Sequence, residues 1–121
     1  MQRNVAFVDE ERDRPILKAL PHGTRIAIGR EIRRLQNGQR AADLQQWRPL
    51  TEFGKGVGEL KRGPWRIVLS TVADVLNIWI VCAFRKEAKS GSKMTKKHRT
   101  LIEGSLERLH AHLDAPKARL H

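Results

Sequence analysis

Glu59, Lys61 and Arg66, with Arg85 further along, are the residues of this chain whose types and spacing point to chemistry. Glu59 and Lys61 lie in the apolar run Val57 to Arg62, Arg66 in Trp65 to Val72, and Arg85 just past Val75 to Phe84. If Leu60, Trp65, Ile67, Leu69 and the even positions from Leu76 to Phe84 face a helical layer, strand alternation sends these four groups to the opposite, open face. A carboxylate among three cations suits transfer at an RNA phosphodiester. That reaction needs a base for the 2′-hydroxyl proton, cations to stabilise the phosphorane, and an acid for the leaving 5′-oxygen. Glu59 fits the base, as does Lys61 if neighbouring charge depresses its pKa. His98, beside a basic segment, fits acid or base near neutral pH.

The same residues have plainer readings. Glu59 also suits a cross-strand ion pair with Lys61 or Arg66. Trp65 and Trp79 read as packing groups, although Trp79 falls on the odd, open face, where it could stack a base. From Arg85 to Arg99 the chain carries seven cations against the single anion Glu87. Within this segment Lys86, Lys89, Lys93, Lys96, Lys97 and Arg99 read as phosphate contacts, which position a nucleic acid without reading its sequence.

The whole chain agrees with that focus. Its 121 residues carry a formal charge of +11 and a pI near 10.9, a balance that favours a polyphosphate partner through counterion release. The length fits one domain, placed at 1–113, with a frayed tail at 114–121 around Pro116. One cysteine, Cys82, gives neither an internal disulfide nor a multi-cysteine zinc site; no cofactor is expected. The opening reaches Asp9, Glu10 and Glu11 before a leader's apolar stretch could form, and Asn77 interrupts the longest apolar run. That run falls well short of the roughly 20 residues that span a bilayer. A cytoplasmic protein with no membrane contact is expected.

Positioning those groups requires an α+β fold. Asn4 to Val8 reads as a strand, Arg12 to Leu20 as a helix stopped at Pro21, and the stretch from His22-Gly23 to Gln36 as a second helix, with Ile28, Ile32 and Leu35 on one face. Gln39 to Lys55 reads mostly as connection, with Ala41 to Trp47 as a possible helical turn. Val57 to Arg62, Trp65 to Val72 and Val75 to Phe84 form an antiparallel meander. Ala88 to Lys93 is a loop, and Met94 to Leu113 a last helix whose basic start opposes the macrodipole unless an anion binds there. The two N-terminal helices are expected on one face of a small antiparallel sheet, with the C-terminal helix following.

This order, with Gly-Val-Gly-Glu-Leu-Lys at 56–61, Trp-Arg-Ile-Val at 65–68 and Ala-Phe-Arg-Lys at 83–86, resembles the HigB-like, phage-associated branch of the RelE/ParE toxin superfamily. The resemblance implies a RelE-like fold and a type II toxin acting as a metal-independent mRNA interferase. Its substrate would be messenger on the ribosome, and its partner a cognate antitoxin, often a helix-turn-helix protein. Lys61 takes the family's basic position after Glu-Leu, Arg66 the strand arginine, and Arg85 with Lys86 the basic pair. The chain has no tyrosine, so the catalytic tyrosine of some relatives has no counterpart; Trp65 stands before the arginine and His98 is the candidate substitute. A non-catalytic nucleic-acid-binding regulator, a ParE-like gyrase inhibitor on the same fold, and a structural basic protein are the competing classes.

Overall fold

A computed structural model describes residues 2–87 and 94–115. Lys89 and Lys93, the loop that holds them, and the tail from Pro116 onward lie outside the described residues. Five strands, β1 (Asn4–Phe7), β2 (Trp47–Pro49), β3 (Val57–Arg62), β4 (Trp65–Ser70) and β5 (Asn77–Arg85), join three helices, α1 (Glu10–Lys18), α2 (His22–Gln36) and α3 (Lys96–Leu113). The fold is α+β. No helix of the described residues is long and apolar enough to cross a membrane.

Local chemistry explains most boundaries. Asp9 caps α1 by accepting from the Arg12 backbone N–H at 3.1 Å, and Glu10, Glu11 and Asp13 occupy the first turn, where the macrodipole favours anions. α1 therefore begins at Glu10, earlier than the apolar pattern predicts. α2 ends at Asn37-Gly38, with Gly38 in the left-handed region at φ 97°. Thr95 caps α3 by accepting from the His98 N–H at 3.2 Å.

The strands form one sheet in the order β1-β5-β4-β3-β2. The expected meander is present in β3, β4 and β5, but the sheet is mixed rather than antiparallel, because β1 pairs parallel with β5. β2, which sequence patterning assigns to the connection, is a fifth strand antiparallel to β3.

The expected open face is not open. Ile28 and Leu35 of α2, with Leu60, Ile67, Leu69, Ile78 and Ile80, form one core, against which Ile16 and Leu17 of α1 also rest. On the other face Ile102, Leu106 and Leu109 of α3 cover Val57, Val68, Trp79, Val81 and Phe84 in a second core. The continuous apolar run Ile78 to Phe84 has this cause: β5 is buried on both faces.

A β-bulge inverts the phase of β5. Leu69 pairs with Ile80, but Val68 pairs with Cys82, which leaves Val81 as the extra residue. Before the bulge, Ile78 and Ile80 join the α1–α2 side; after it, Ala83 does so, while Phe84 joins the α3 side. Strict alternation places Phe84 and Arg85 on the wrong faces for this reason.

Candidate active site

A cleft of about 400 Å³ opens where the ends of β2, β3, β4 and β5 meet the start of α3. Arg48, Glu52, Glu59, Arg66, Lys86, His98 and Arg99 line it, with Leu50, Phe84 and Met94 as its apolar wall. Register brings the polar set together: Arg48 faces Glu59 across β2 and β3, Lys61 faces Arg66 across β3 and β4, and Arg66 faces Phe84 across β4 and β5.

Glu59 is the centre of this arrangement, only 2% exposed. Its Oε1 lies 3.6 Å from Arg66 Nε and 3.7 Å from Arg48 Nη1, within Coulombic reach of both but beyond hydrogen-bond length. Burial raises its pKa above the ordinary 4.5, against the opposing pull of Arg66, Arg48, Lys86 and Lys61. Arg66, 5% exposed, donates through Nη1 to the Gly63 and Trp65 carbonyls at 2.7 and 2.9 Å. Those bonds fix its guanidinium, while its buried Nε makes no hydrogen bond. Burial lowers its pKa, with Glu59 opposing. That buried Nε has Glu59 Oε1 at 3.6 Å as its charged neighbour, so a small shift of either side chain would close or open a charge-assisted bond beside the cleft.

Lys86 is held by its backbone N–H, which donates to the Pro64 carbonyl at 2.6 Å. Desolvation, then repulsion from Arg66, lowers its pKa. His98, 7% exposed, is stacked on Phe84, and its pKa falls below 6.5 through burial and then Lys97. Its Nδ1 is buried without a partner. At the cleft mouth Arg99 Nη1 donates to Glu52 Oε2 at 3.4 Å, and its guanidinium sits 5.2 Å from the Phe53 ring centroid.

The remaining expected residues are distributed as follows. Lys61 stands exposed at the rim, on the Glu59 face but outside the cleft lining. Arg85 projects to the opposite face, its guanidinium 6.0 Å from the Trp65 ring it faces across the strands, so the four-residue convergence loses this member to the bulge. Trp79 is not open for base stacking: it is 8% exposed, its Nε1 donates to Asp74 at 3.3 Å, and His112 of α3 packs edge-on against it. Lys96 and Lys97 are exposed on the first turn of α3 and do not line the cleft. Arg48 and Glu52 escaped sequence reasoning. β2 is three residues long and ends in a proline, so no alternation could reveal that Arg48 lies on the cleft side, beside Glu59.

Comparison of the chain with protein-family models, with curated proteins and with solved structures finds no match. The chemistry of the cleft is therefore the ground for reading function. It combines a buried carboxylate of raised pKa, an immobilised arginine with a free Nε, a second arginine, a lysine of lowered pKa and a neutral-leaning histidine.

Proposed function

We propose that the protein is an RNA-cleaving toxin of the HigB-like branch of the RelE/ParE superfamily, acting on messenger at the ribosome and held in check by a cognate antitoxin. The observation that carries this reading is the position of Glu59, buried between Arg48 and Arg66 at the floor of a cationic cleft.

At neutral pH the protonation preferences fit one assignment. Glu59 in its carboxylate form is a stronger base than an ordinary glutamate and accepts the proton of the ribose 2′-hydroxyl. The 2′-oxygen bonds to phosphorus as the P–O5′ bond breaks, and the 5′-oxygen takes a proton from the Lys86 ammonium, a better donor than an unperturbed lysine. Arg66 and Arg48 meet the charge that builds on the phosphorane oxygens. The products are a 2′,3′-cyclic phosphate and a 5′-hydroxyl. His98, disfavoured as a cation, lines the same cleft as a neutral hydrogen-bonding group. Arg66, fixed by the Gly63 and Trp65 carbonyls, and Arg48 beside Glu59 supply the positive charge, and this route needs no metal.

The test is induced expression in a bacterial host with mapping of messenger 5′ ends. Wild type is expected to arrest growth and create new 5′-hydroxyl ends. Arg66→Ala is expected to lose cleavage by on the order of 10²–10³-fold, as for removal of one oxyanion donor. Arg85→Ala, on the far face, is expected to stay within about threefold of wild type, the range of a non-specific phosphate contact. RNA bound with steep salt dependence but left uncut would assign the chain to the non-catalytic binding class instead.

A further inference from the structure

We infer that Arg12 and Asp13 of α1 are positioning residues for the cleft, acting from the opposite side of the sheet by fixing the bulged end of β5 so that Phe84 lies beneath His98. The catalytic consequence rests on the function proposed above, and the positioning on the contacts of α1 with β5.

β1 stops short of the bulge. Its register with β5 ends at Phe7 and Ile80, and its last bond is the Val8 N–H donating to the Ile80 carbonyl at 3.0 Å. From Val81 onward no strand among the described residues lies on the outer edge of β5, because β1, its neighbour there, ends at Phe7. Two side chains of α1 take the missing strand's place. Arg12 Nη2 donates to the Val81 carbonyl at 2.9 Å, and Asp13 Oδ1 accepts from the Ala83 N–H at 3.3 Å. The pair is closed by two further bonds, Arg12 Nε to Asp13 Oδ1 at 3.0 Å and Arg12 Nη2 to Asp13 Oδ2 at 2.8 Å.

These bonds bracket the residues where the phase of β5 changes. Unbulged alternation would carry Phe84 to the side of Ile78 and Ile80, away from α3. The bulge instead sends it to the α3 side, where the His98 ring lies on it. A bulge leaves backbone groups outside the ladder, and Arg12 and Asp13 satisfy those on this edge.

Stability alone is a poor reason for the pair. Asp13 is fully buried at 0% exposure while the Arg12 side chain keeps 29%, and the cost of taking such a carboxylate out of water can exceed its attraction to a half-buried partner. Fixing a register is the best-attested use of such a pair. The same turn also reaches α3: Asp9, whose Oδ1 caps α1, accepts Arg108 Nη1 on Oδ2 at 3.0 Å. α1 thus holds both layers of the Phe84–His98 stack, one through the bulge and one through the helix.

The test reads the stack directly in the full-length chain. In wild type the His98 ring protons are expected to be displaced upfield by the Phe84 ring current in the NMR spectrum. Asp13→Ala is expected to abolish that displacement. Asp13→Asn, which keeps an acceptor for Ala83 but presents a donor to Arg12, is expected to reduce it. In both variants single-turnover cleavage of ribosome-bound messenger should fall by roughly 10²-fold, the cost of a misplacement of about 1 Å. RNA affinity should change by less than about threefold, because the phosphate contacts are intact. If Asp13→Ala does not fold, Asp13→Asn decides alone. A folded Asp13→Asn protein with His98 protons at their wild-type positions overturns the inference, even if its melting temperature has dropped. Should wild type prove unable to cut messenger on translating ribosomes, the proposed activity fails while the ring-current measurement still decides the positioning role.

Discussion

The imidazole of His98 lies nearly flat on the ring of Phe84, with centroids 3.9 Å apart and planes 16° from parallel. The stack buries the histidine at the N-terminal turn of α3, beside Lys97 and near Lys86, where a third positive charge is unwelcome.

Stability should record that cost. The folded-state pKa of His98 lies below its ordinary 6.5, so its contribution is present above that value and lost as pH falls through the folded pKa. His98→Phe keeps a flat ring and removes the titration. Melting temperatures measured between pH 5 and pH 8 should drop less steeply toward acid for His98→Phe than for wild type, a window of about one unit or more either side of a histidine's usual pKa.

Glu59 has the opposite sign. Its folded pKa is raised above 4.5, so the contribution it makes is full below that value and is lost as pH rises through the folded pKa. Glu59→Gln should therefore unfold no more easily than wild type above neutrality in chemical denaturation, while cleaving RNA at least ~10²-fold more slowly. A variant that is both inactive and much less stable would contradict the placement of Glu59 as a group retained for chemistry.

The Glu52–Arg99 pair at the cleft mouth is half exposed on both sides, and its bond is long. Glu52→Gln should alter stability by less than about 0.5 kcal/mol. By releasing Arg99 to a phosphate, it should tighten RNA binding a few-fold and steepen its salt dependence, measurable by fluorescence anisotropy over a salt series.

Gly58 has no room for a side chain, because a Cβ there would run into the Trp47 indole across β2 and β3. Gly58→Ala should destabilise by about 1–3 kcal/mol, the usual cost of overpacking. Since Gly58 adjoins Glu59 and faces Pro49 beside Arg48, the shifted strand should also weaken RNA binding. Thermal denaturation and a binding titration on one preparation would show both effects.

Much of this architecture is legible from residue order. The apolar spacing of Ile28, Ile32 and Leu35 and the stop at Asn37-Gly38 define α2 as observed, and Gly63-Pro64 marks the β3–β4 hairpin that brings Glu59 and Arg66 onto one face. Two features resist alternation arguments. β2 is too short to show a period, which hides Arg48. The bulge at Val81 breaks the period midway along β5, so the same rule that pairs Glu59 with Arg66 misplaces Arg85. One signal was available: Val81, Cys82, Ala83 and Phe84 are apolar without interruption, the pattern of a strand covered on both faces, and it implies that α3 closes the face expected to be open.

The pairing of Asn4 with Asn77, and the bonds from Arg3 to carbonyls at 71, 74 and 77, join the first strand to one that is made much later. The cleft draws on residues from Arg48 to Arg99, so it ends later still, and its wall depends on α3 docking over β5. A nascent chain emerging from the ribosome can form α1 and α2 early, but it cannot assemble the cleft until the segment through α3 has cleared the exit tunnel. Order of synthesis thus leaves the β3–β4 hairpin with Glu59 and Arg66 without its α3 wall until the last helix is out, and the closed cleft is the last part of the fold to be completed.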